Sequence, residues 1–169
     1  MAQKPLSQRS GENVDLILSL LVGHPELSRI NVEPRLGTIT LTFIVRGSVG
    51  AKFRTRLREH LSAYYALENV SAAAPEIKTS TMRGLTFLSI GRDTRTISGA
   101  EISLIVALVR QELERALVVN PPAEEPGEDE PLARKEFVGS AIDAWRRGSQ
   151  KKSLVGFRDE RRVLIYFGS

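Results

Sequence analysis

The chain of 169 residues contains no cysteine, which excludes disulfides, thiolate metal sites and a cysteine nucleophile. Its hydrophobic fraction of 41% and charged fraction of 26% are typical of a globular domain with a real core. The net charge of +4 is unevenly spread, with five acids and no bases in residues 121–131 but nine bases and four acids in residues 132–169. The longest early apolar run, 16–22, lacks a basic leader and is too short for a bilayer, so we expect a cytoplasmic protein without a membrane partner.

The first residues, 1–11, are polar and predict an irregular terminus. Asn13 can cap a short helix, because apolar residues then recur at helical spacing as far as Gly23 and Pro25, which end it.

Two stretches of the chain align with each other. Residues 30–37 align without a gap on 77–84, and after two extra residues 50–53 align on 99–102. Each copy predicts strand, turn, strand and helix, which gives two ββα units over about 28–69 and 75–118. The first hairpin comprises strands 29–35 and 38–46 around Leu36-Gly37, and the second comprises 76–82 and 85–92 around Arg83-Gly84.

A long helix follows each hairpin. The first, over 48–68, has a predicted buried stripe of Phe53, Leu57, Leu61 and Tyr64. The second, over 98–118, begins with Ser98-Gly99-Ala100-Glu101, in which the serine hydroxyl and the glutamate carboxylate can both accept from free amides as a capping box.

The order ββαββα is a circular permutation of βαββαβ, the ferredoxin-like pattern. We therefore predict an α+β fold, in which the duplicated ββα units form a four-stranded antiparallel sheet with two helices on one face. Thr38, Thr40 and Thr42 alternate with apolar residues and should mark the opposite face.

The rest of the chain predicts a linker and an appendage. Residues 120–131 are acidic and rich in proline, and separate a domain over 1–119 from a tail over 132–169. The tail predicts an amphipathic helix over 132–147 and a hairpin of strands 154–157 and 162–167. Such a short segment is too small to fold alone, so it must dock on its own domain, on a sister chain or on another molecule. The predicted docking residues are Phe137, Ile142, Trp145, Phe157, Ile165 and Phe167.

Residues with catalytic chemistry are few. His24 and His60 have no carboxylate or second histidine at metal-ligand spacing, and no phosphate-binding loop, dinucleotide fingerprint or nucleophile elbow is present. We predict no catalytic residue, no metal and no cofactor, and favour a protein that is not an enzyme.

Two basic clusters are candidates for binding phosphate. The first is a Gly-x-x-Gly turn before a basic helix, where free amides attract anions. It resembles the nucleic-acid clamp of KH domains, although in that family a helix precedes the clamp and here residues 38–45 predict a strand, so we assign no family. The second surrounds Trp145 in the tail, where an aromatic among basic residues suits single-stranded nucleic acid. The first cluster comprises Gly47, Ser48, Gly50, Lys52, Arg54, Arg56 and Arg58, and the second comprises Arg146, Arg147, Lys151, Lys152, Arg158, Arg161 and Arg162.

Three hypotheses for function remain open. The first is a non-catalytic binding or assembly module that forms a homodimer through the docked basic tail. The second is an RNA- or ribosome-associated protein that binds phosphates through the two clusters. The third is a small-molecule sensor or enzyme with a site between sheet and tail.

Overall fold

The computed structural model describes residues 6–72, 74–120, 142, 153–159 and 162–167. These form three helices and six strands, each bounded as follows in chain order: α1 (Leu6–Gly23), β1 (Arg29–Glu33), β2 (Thr38–Arg46), α2 (Ala51–Leu67), β3 (Glu76–Met82), β4 (Leu85–Asp93), α3 (Gly99–Leu113), β5 (Leu154–Asp159) and β6 (Arg162–Phe167).

All six strands belong to one antiparallel sheet with the order β3-β4-β2-β1-β5-β6. The α+β class is therefore confirmed, but the prediction of four strands was wrong. The sheet has six because β5 pairs with β1, with Ile30 opposite Gly156 and Val32 opposite Leu154. A hairpin from the end of the chain thus satisfies the outer backbone groups of β1, which would otherwise form an open edge.

Alternation along the strands separates two faces of the sheet. In β2, Ile39, Leu41, Phe43 and Val45 are at most 1% exposed and share one core cluster with the buried residues of all three helices. The predicted threonine row lies on the opposite face, where the buried hydroxyl of Thr42 lies 3.3 Å from that of Ser89.

Helix α1 begins at Leu6, so the prediction of an irregular segment over 1–11 was wrong from that residue onwards. No proline falls between residues 6 and 24, and polar residues such as glutamine and glutamate are good helix formers. The apolar face of α1, including Leu16, Ile17 and Leu21, is buried in the core. Packing of this face stabilises a helix longer than its apolar stripe alone predicts.

Both remaining helices are shorter than predicted. Helix α2 begins at Ala51 rather than at 48, and the tyrosine in its buried row is Tyr65, whereas Tyr64 is only partly buried. Helix α3 ends at Leu113 rather than at 118. Beyond the helix, Leu117 forms an antiparallel bridge with Val45. The chain after α3 therefore pairs with β2 on the same side as β1, beyond the end of that strand.

The two hairpins of the repeat have glycines at matching turn positions. Gly37 and Gly84 have φ angles of +64° and +79°, a left-handed conformation that glycine adopts without steric cost. The duplication itself stays a prediction. None of the described helices combines the length and apolar character needed to span a bilayer.

Candidate functional site

The turn between β2 and α2 has the backbone geometry of a strand-to-helix connection. Gly47 has a φ of +81°, and Gly50 is the N-cap of α2 in an extended conformation. Within the described part of the chain, no side chain caps the helix start. Among the described residues, the first amides of α2 therefore have no side-chain acceptor.

Three segments of the chain converge at this end of the sheet. The Gly47 amide donates to the Gly84 carbonyl at 2.8 Å, which joins the β2–α2 turn to the β3–β4 turn. The Arg46 amide donates to the Ala116 carbonyl at 2.7 Å, which adds the segment after α3. These bonds hold together residues that lie far apart in sequence.

Four exposed basic side chains belong to these segments, and we call them the basic end: Arg46, Lys52, Arg83 and Arg115. Among the described residues, none of the four forms an ion pair or a side-chain hydrogen bond. Glu114, next to Arg115, is the exposed acid in the same segment. In the first turn of α2, Nε of Arg54 is shielded from water and has no partner within the described part of the chain. Lys52 and Arg54 were predicted from the sequence, but Arg46, Arg83 and Arg115 were not. Arg46 directly precedes the Gly-x-x-Gly turn, whereas no local pattern connects Arg83 and Arg115 with it.

The other basic residues of α2 are separated from the basic end. Arg56 forms an ion pair with Glu112 of α3 at 3.1 Å, and its carbonyl lies 2.7 Å from Nδ1 of His60. Arg58 is exposed, nearly two helical turns beyond the start of α2. Arg56 and Arg58 of the predicted first cluster therefore have different environments, and phosphate binding by that cluster stays a prediction.

The tail cluster is also divided. Arg158 is half-buried, and its guanidinium donates to the carbonyls of Leu27 and His24 at 3.1 and 3.3 Å. Burial lowers the pKa of Arg158 in spite of the attraction of Glu26. Arg158 therefore holds the loop after α1 and presents no free charge, while Arg162 is exposed on β6. The remaining members lie outside the described residues: Arg146, Arg147, Lys151, Lys152 and Arg161.

The predicted docking residues have different environments. Ile142 is 2% exposed and belongs to the core cluster, and Ile165 packs against that cluster. Phe157 is half-buried and stacks on Tyr166 with ring centroids 5.5 Å apart, whereas Phe167 is 50% exposed. Phe137 and Trp145 lie outside the described residues, so docking of the whole tail stays a prediction. Leu154, which is not among the predicted docking residues, is fully buried.

A buried ionic network lies at the opposite end of β4. Arg92 and Glu101 have side chains 1% exposed, with Nε–Oε2 and Nη2–Oε1 distances of 2.5 and 2.8 Å. Tyr65 donates to Oε2 of Glu101 at 2.9 Å, and the Arg92 guanidinium lies 4.8 Å from the centre of the Tyr65 ring. The predicted capping box is therefore half right: Ser98 accepts from the Glu101 amide, but the carboxylate binds Arg92 instead of capping.

The network shifts the pKa of two of its members. Burial, followed by the charge of Glu101, raises the pKa of Tyr65 well above its ordinary value. For Arg92, burial alone would lower the pKa, but the hydrogen bonds and charge of Glu101 outweigh it and raise the pKa. The charges are satisfied by neighbours within the chain, so the network links β4, α2 and α3.

Two sequence signals could have revealed the network. Arg92 occupies a core-facing position, in register with Leu88 and Ile90, and Glu101 immediately precedes the apolar stripe of α3. A charge at each of two core positions indicates a buried pair. Within the described ranges, no group of three histidine, aspartate or glutamate side chains is arranged to bind a metal. A comparison with known protein families, with curated proteins and with solved structures found no match to the chain.

Proposed function

We propose that the protein is a non-catalytic assembly module that forms a homodimer through strand β6. The observation that carries this proposal is the character of that strand. Among the described strands, β6 pairs only with β5, and it has five consecutive hydrophobic or aromatic residues, 163–167. An apolar edge of this kind is a template for pairing with another strand.

The backbone groups available on β6 follow from the hydrogen bonds of β5. The Arg158 amide donates to the Ser28 carbonyl at 3.2 Å, so it points toward β1 and away from β6. Successive amides along a strand point to opposite sides, so residues 162, 164 and 166 of β6 bond to β5. The amides and carbonyls of Val163, Ile165 and Phe167 then point to the outer edge, where a second strand can pair.

The other edge of the sheet has a different character. In β3, exposed Glu76 and Lys78 form an ion pair at 2.8 Å, and Ile77 is the buried apolar residue of the strand. Charged side chains on an edge strand discourage pairing with another sheet. The contrast with β6 favours one self-associating edge and one protected edge.

Self-association of β6 is geometrically simple. Two copies related by a two-fold axis bring their β6 strands together antiparallel, and the two six-stranded sheets become continuous. Tyr166 and Phe167, which are 56% and 50% exposed, would then lie at the interface. One strand pair buries less than the roughly 1,600 Å² of a standard interface, so we expect a concentration-dependent dimer.

The test replaces the exposed aromatics with lysine. We expect sedimentation over a range of concentrations to show a dimer for the native chain and a monomer for the double variant Tyr166→Lys, Phe167→Lys, because a lysine pair across the axis repels. Met82→Lys is the matched control, since Met82 is 59% exposed on β3, and it should remain dimeric. A monomeric native chain, or a double variant that still dimerises, would refute the proposal. Thermal unfolding of each variant checks that the fold is retained.

The finer description of the fold is also a proposal. We infer that the two ββα units are a duplication and that β1 to β4 form a permuted ferredoxin-like core. The order β3-β4-β2-β1 and the fully antiparallel pairing support this, because a circular permutation of βαββαβ predicts both. The matching turn glycines, Gly37 and Gly84, are a second support.

A further inference from the structure

We propose that the basic end binds the phosphate backbone of a nucleic acid. This goes beyond self-assembly and does not depend on it, because the basic end lies where β2 and β4 meet the start of α2, away from the β6 edge. The surface is made of Arg46, Lys52, Arg83 and Arg115, from three segments that lie apart in the sequence. They are exposed and unpaired within the described part of the chain, so their charges are available to a polyanion.

The backbone conformation of Arg83 is the strongest evidence that the side chains of the basic end have a function. Arg83 and Gly84 form a two-residue hairpin turn in which both φ angles are positive, +53° and +79°. Asparagine, aspartate and glycine are the residues that this turn prefers, and arginine is strained there. Strain of this kind is typically retained where the side chain has a function.

The chemistry of the site favours phosphate over other anions. Three of the four side chains are arginines, whose planar guanidinium matches the oxygens of a phosphate with two parallel hydrogen bonds. Nε of Arg54, an unsatisfied donor in the first turn of α2, lies in the same region of the chain. Several cations on separate segments suit a chain of successive phosphates, whereas a single small anion needs only one pocket.

Phosphate contacts also predict how binding behaves. They carry no sequence information, so we expect RNA to bind without strong sequence preference. Each contact releases counterions, and four contacts to a single strand give a slope of log affinity against log salt of about −3. The slope therefore counts the contacts independently of the absolute affinity.

The experiment measures fluorescence anisotropy of a labelled mixed-sequence RNA of about 20 nucleotides, with salt varied from about 50 to 200 mM. Arg83→Asn and Arg115→Gln should each weaken binding and reduce the steepness of the slope by about 0.7. Arg35→Gln is the matched control, because Arg35 is an exposed arginine at the opposite end of β2. It should change neither the affinity for RNA nor the salt slope.

Arg83→Asn also separates binding from folding, because asparagine is better suited to the turn. The variant should unfold at a temperature no lower than the native chain while its RNA affinity falls. Binding that is weak at low salt, or equally reduced by Arg35→Gln, would overturn the proposal. So would binding to vesicles containing phosphatidylserine in the absence of RNA binding. The monomeric Tyr166→Lys, Phe167→Lys variant should keep the per-chain affinity, so failure here and failure of the dimer are distinguishable.

Discussion

The core of this protein contains a buried ion pair, Arg92 and Glu101, with the hydroxyl of Tyr65 bonded to its carboxylate. The Arg92–Glu101 pair is bidentate and nearly inaccessible to water, and the Tyr65 hydroxyl occupies a further position on the carboxylate. Loss of one partner would leave the other charge buried alone, at a cost of about 3–5 kcal/mol. The three residues therefore fix the relative positions of β4, α2 and α3 more than they add net stability.

Tyr65 makes stability depend on alkaline pH. Its pKa in the folded chain is raised above the ordinary tyrosine value of 10.0, by burial first and by the charge of Glu101 second. Above about pH 10 the unfolded chain releases the proton while the folded chain retains it, so the free energy of unfolding falls as pH rises. Tyr65→Phe should lower the free energy of unfolding by about 1–3 kcal/mol near pH 7, because it removes the hydrogen bond to Glu101. It should also flatten the alkaline decline.

Urea unfolding of the native chain and of Tyr65→Phe, compared between about pH 7 and pH 11, measures both effects. If the free energy of unfolding falls equally steeply with alkaline pH in the native chain and in Tyr65→Phe, a group other than Tyr65 causes the decline.

Helix α1 and strand β5 are packed in close contact, and a glycine makes this contact feasible. A Cβ atom on Gly156 would overlap Cγ2 of Ile17 and lie 3.2 Å from Cδ1 of Leu21. Gly91, also in a strand, has its nearest such contact at an ordinary 3.5 Å, with Cβ of Glu76. The two glycines thus form a natural pair for measuring the contact.

We expect Gly156→Ala to destabilise the fold by about 1–3 kcal/mol, because α1 must move away from β5 to accommodate the methyl group. Gly91→Ala should be neutral or stabilising by up to about 1 kcal/mol. Denaturant unfolding of both variants measures the difference. An equal effect at the two positions would contradict the close packing of α1 on β5.

The two edge strands of the sheet, β3 and β6, differ in the charge of their side chains. Exposed Glu76 and Lys78 protect β3, while β6 has Arg162 as its one charged residue. Since a β-strand pairs through its backbone, the side chains on an edge decide whether pairing is encouraged or prevented.

The β5–β6 hairpin is joined to the rest of the molecule by pairing with β1 and by packing on α1. Leu154 is fully buried in the core, and Arg158 bonds to the loop after α1. The region over 1–119 and the end of the chain therefore share one core and one sheet.

A chain truncated to residues 1–120 should lose this shared core. We expect a lower unfolding temperature and stronger binding of a hydrophobic dye, since α1 would expose Ile17 and Leu21 and β1 would become an open edge. The full chain should unfold in one cooperative transition. Unchanged stability of the truncated chain, measured by calorimetry, would show that the hairpin adds little.

Both proposed surfaces coexist in this arrangement. A dimer formed through β6 would place its two basic ends at distant parts of a continuous sheet, and each could contact a different stretch of nucleic acid. Such a dimer would gain avidity for long RNA over short RNA without any new contact.

Local patterns were enough to predict most elements of this fold. The alternation of Thr38 to Arg46 predicted β2 to the residue, and the Arg83-Gly84 turn predicted its hairpin, because both depend on neighbours along the chain. Element ends were less accurate. Helix α1 extends beyond its apolar stripe, and α3 stops early where Leu117 bridges to β2.

Contacts between distant residues could not be read from these patterns. The pairing of β1 with β5, the Arg92–Glu101 ion pair and the convergence of Arg46, Arg83 and Arg115 each join separate segments. A periodic pattern shows which face of an element is buried, but not which other element covers it. That choice depends on the summed free energy of packing and backbone pairing across the whole chain, and only the folded molecule reveals it.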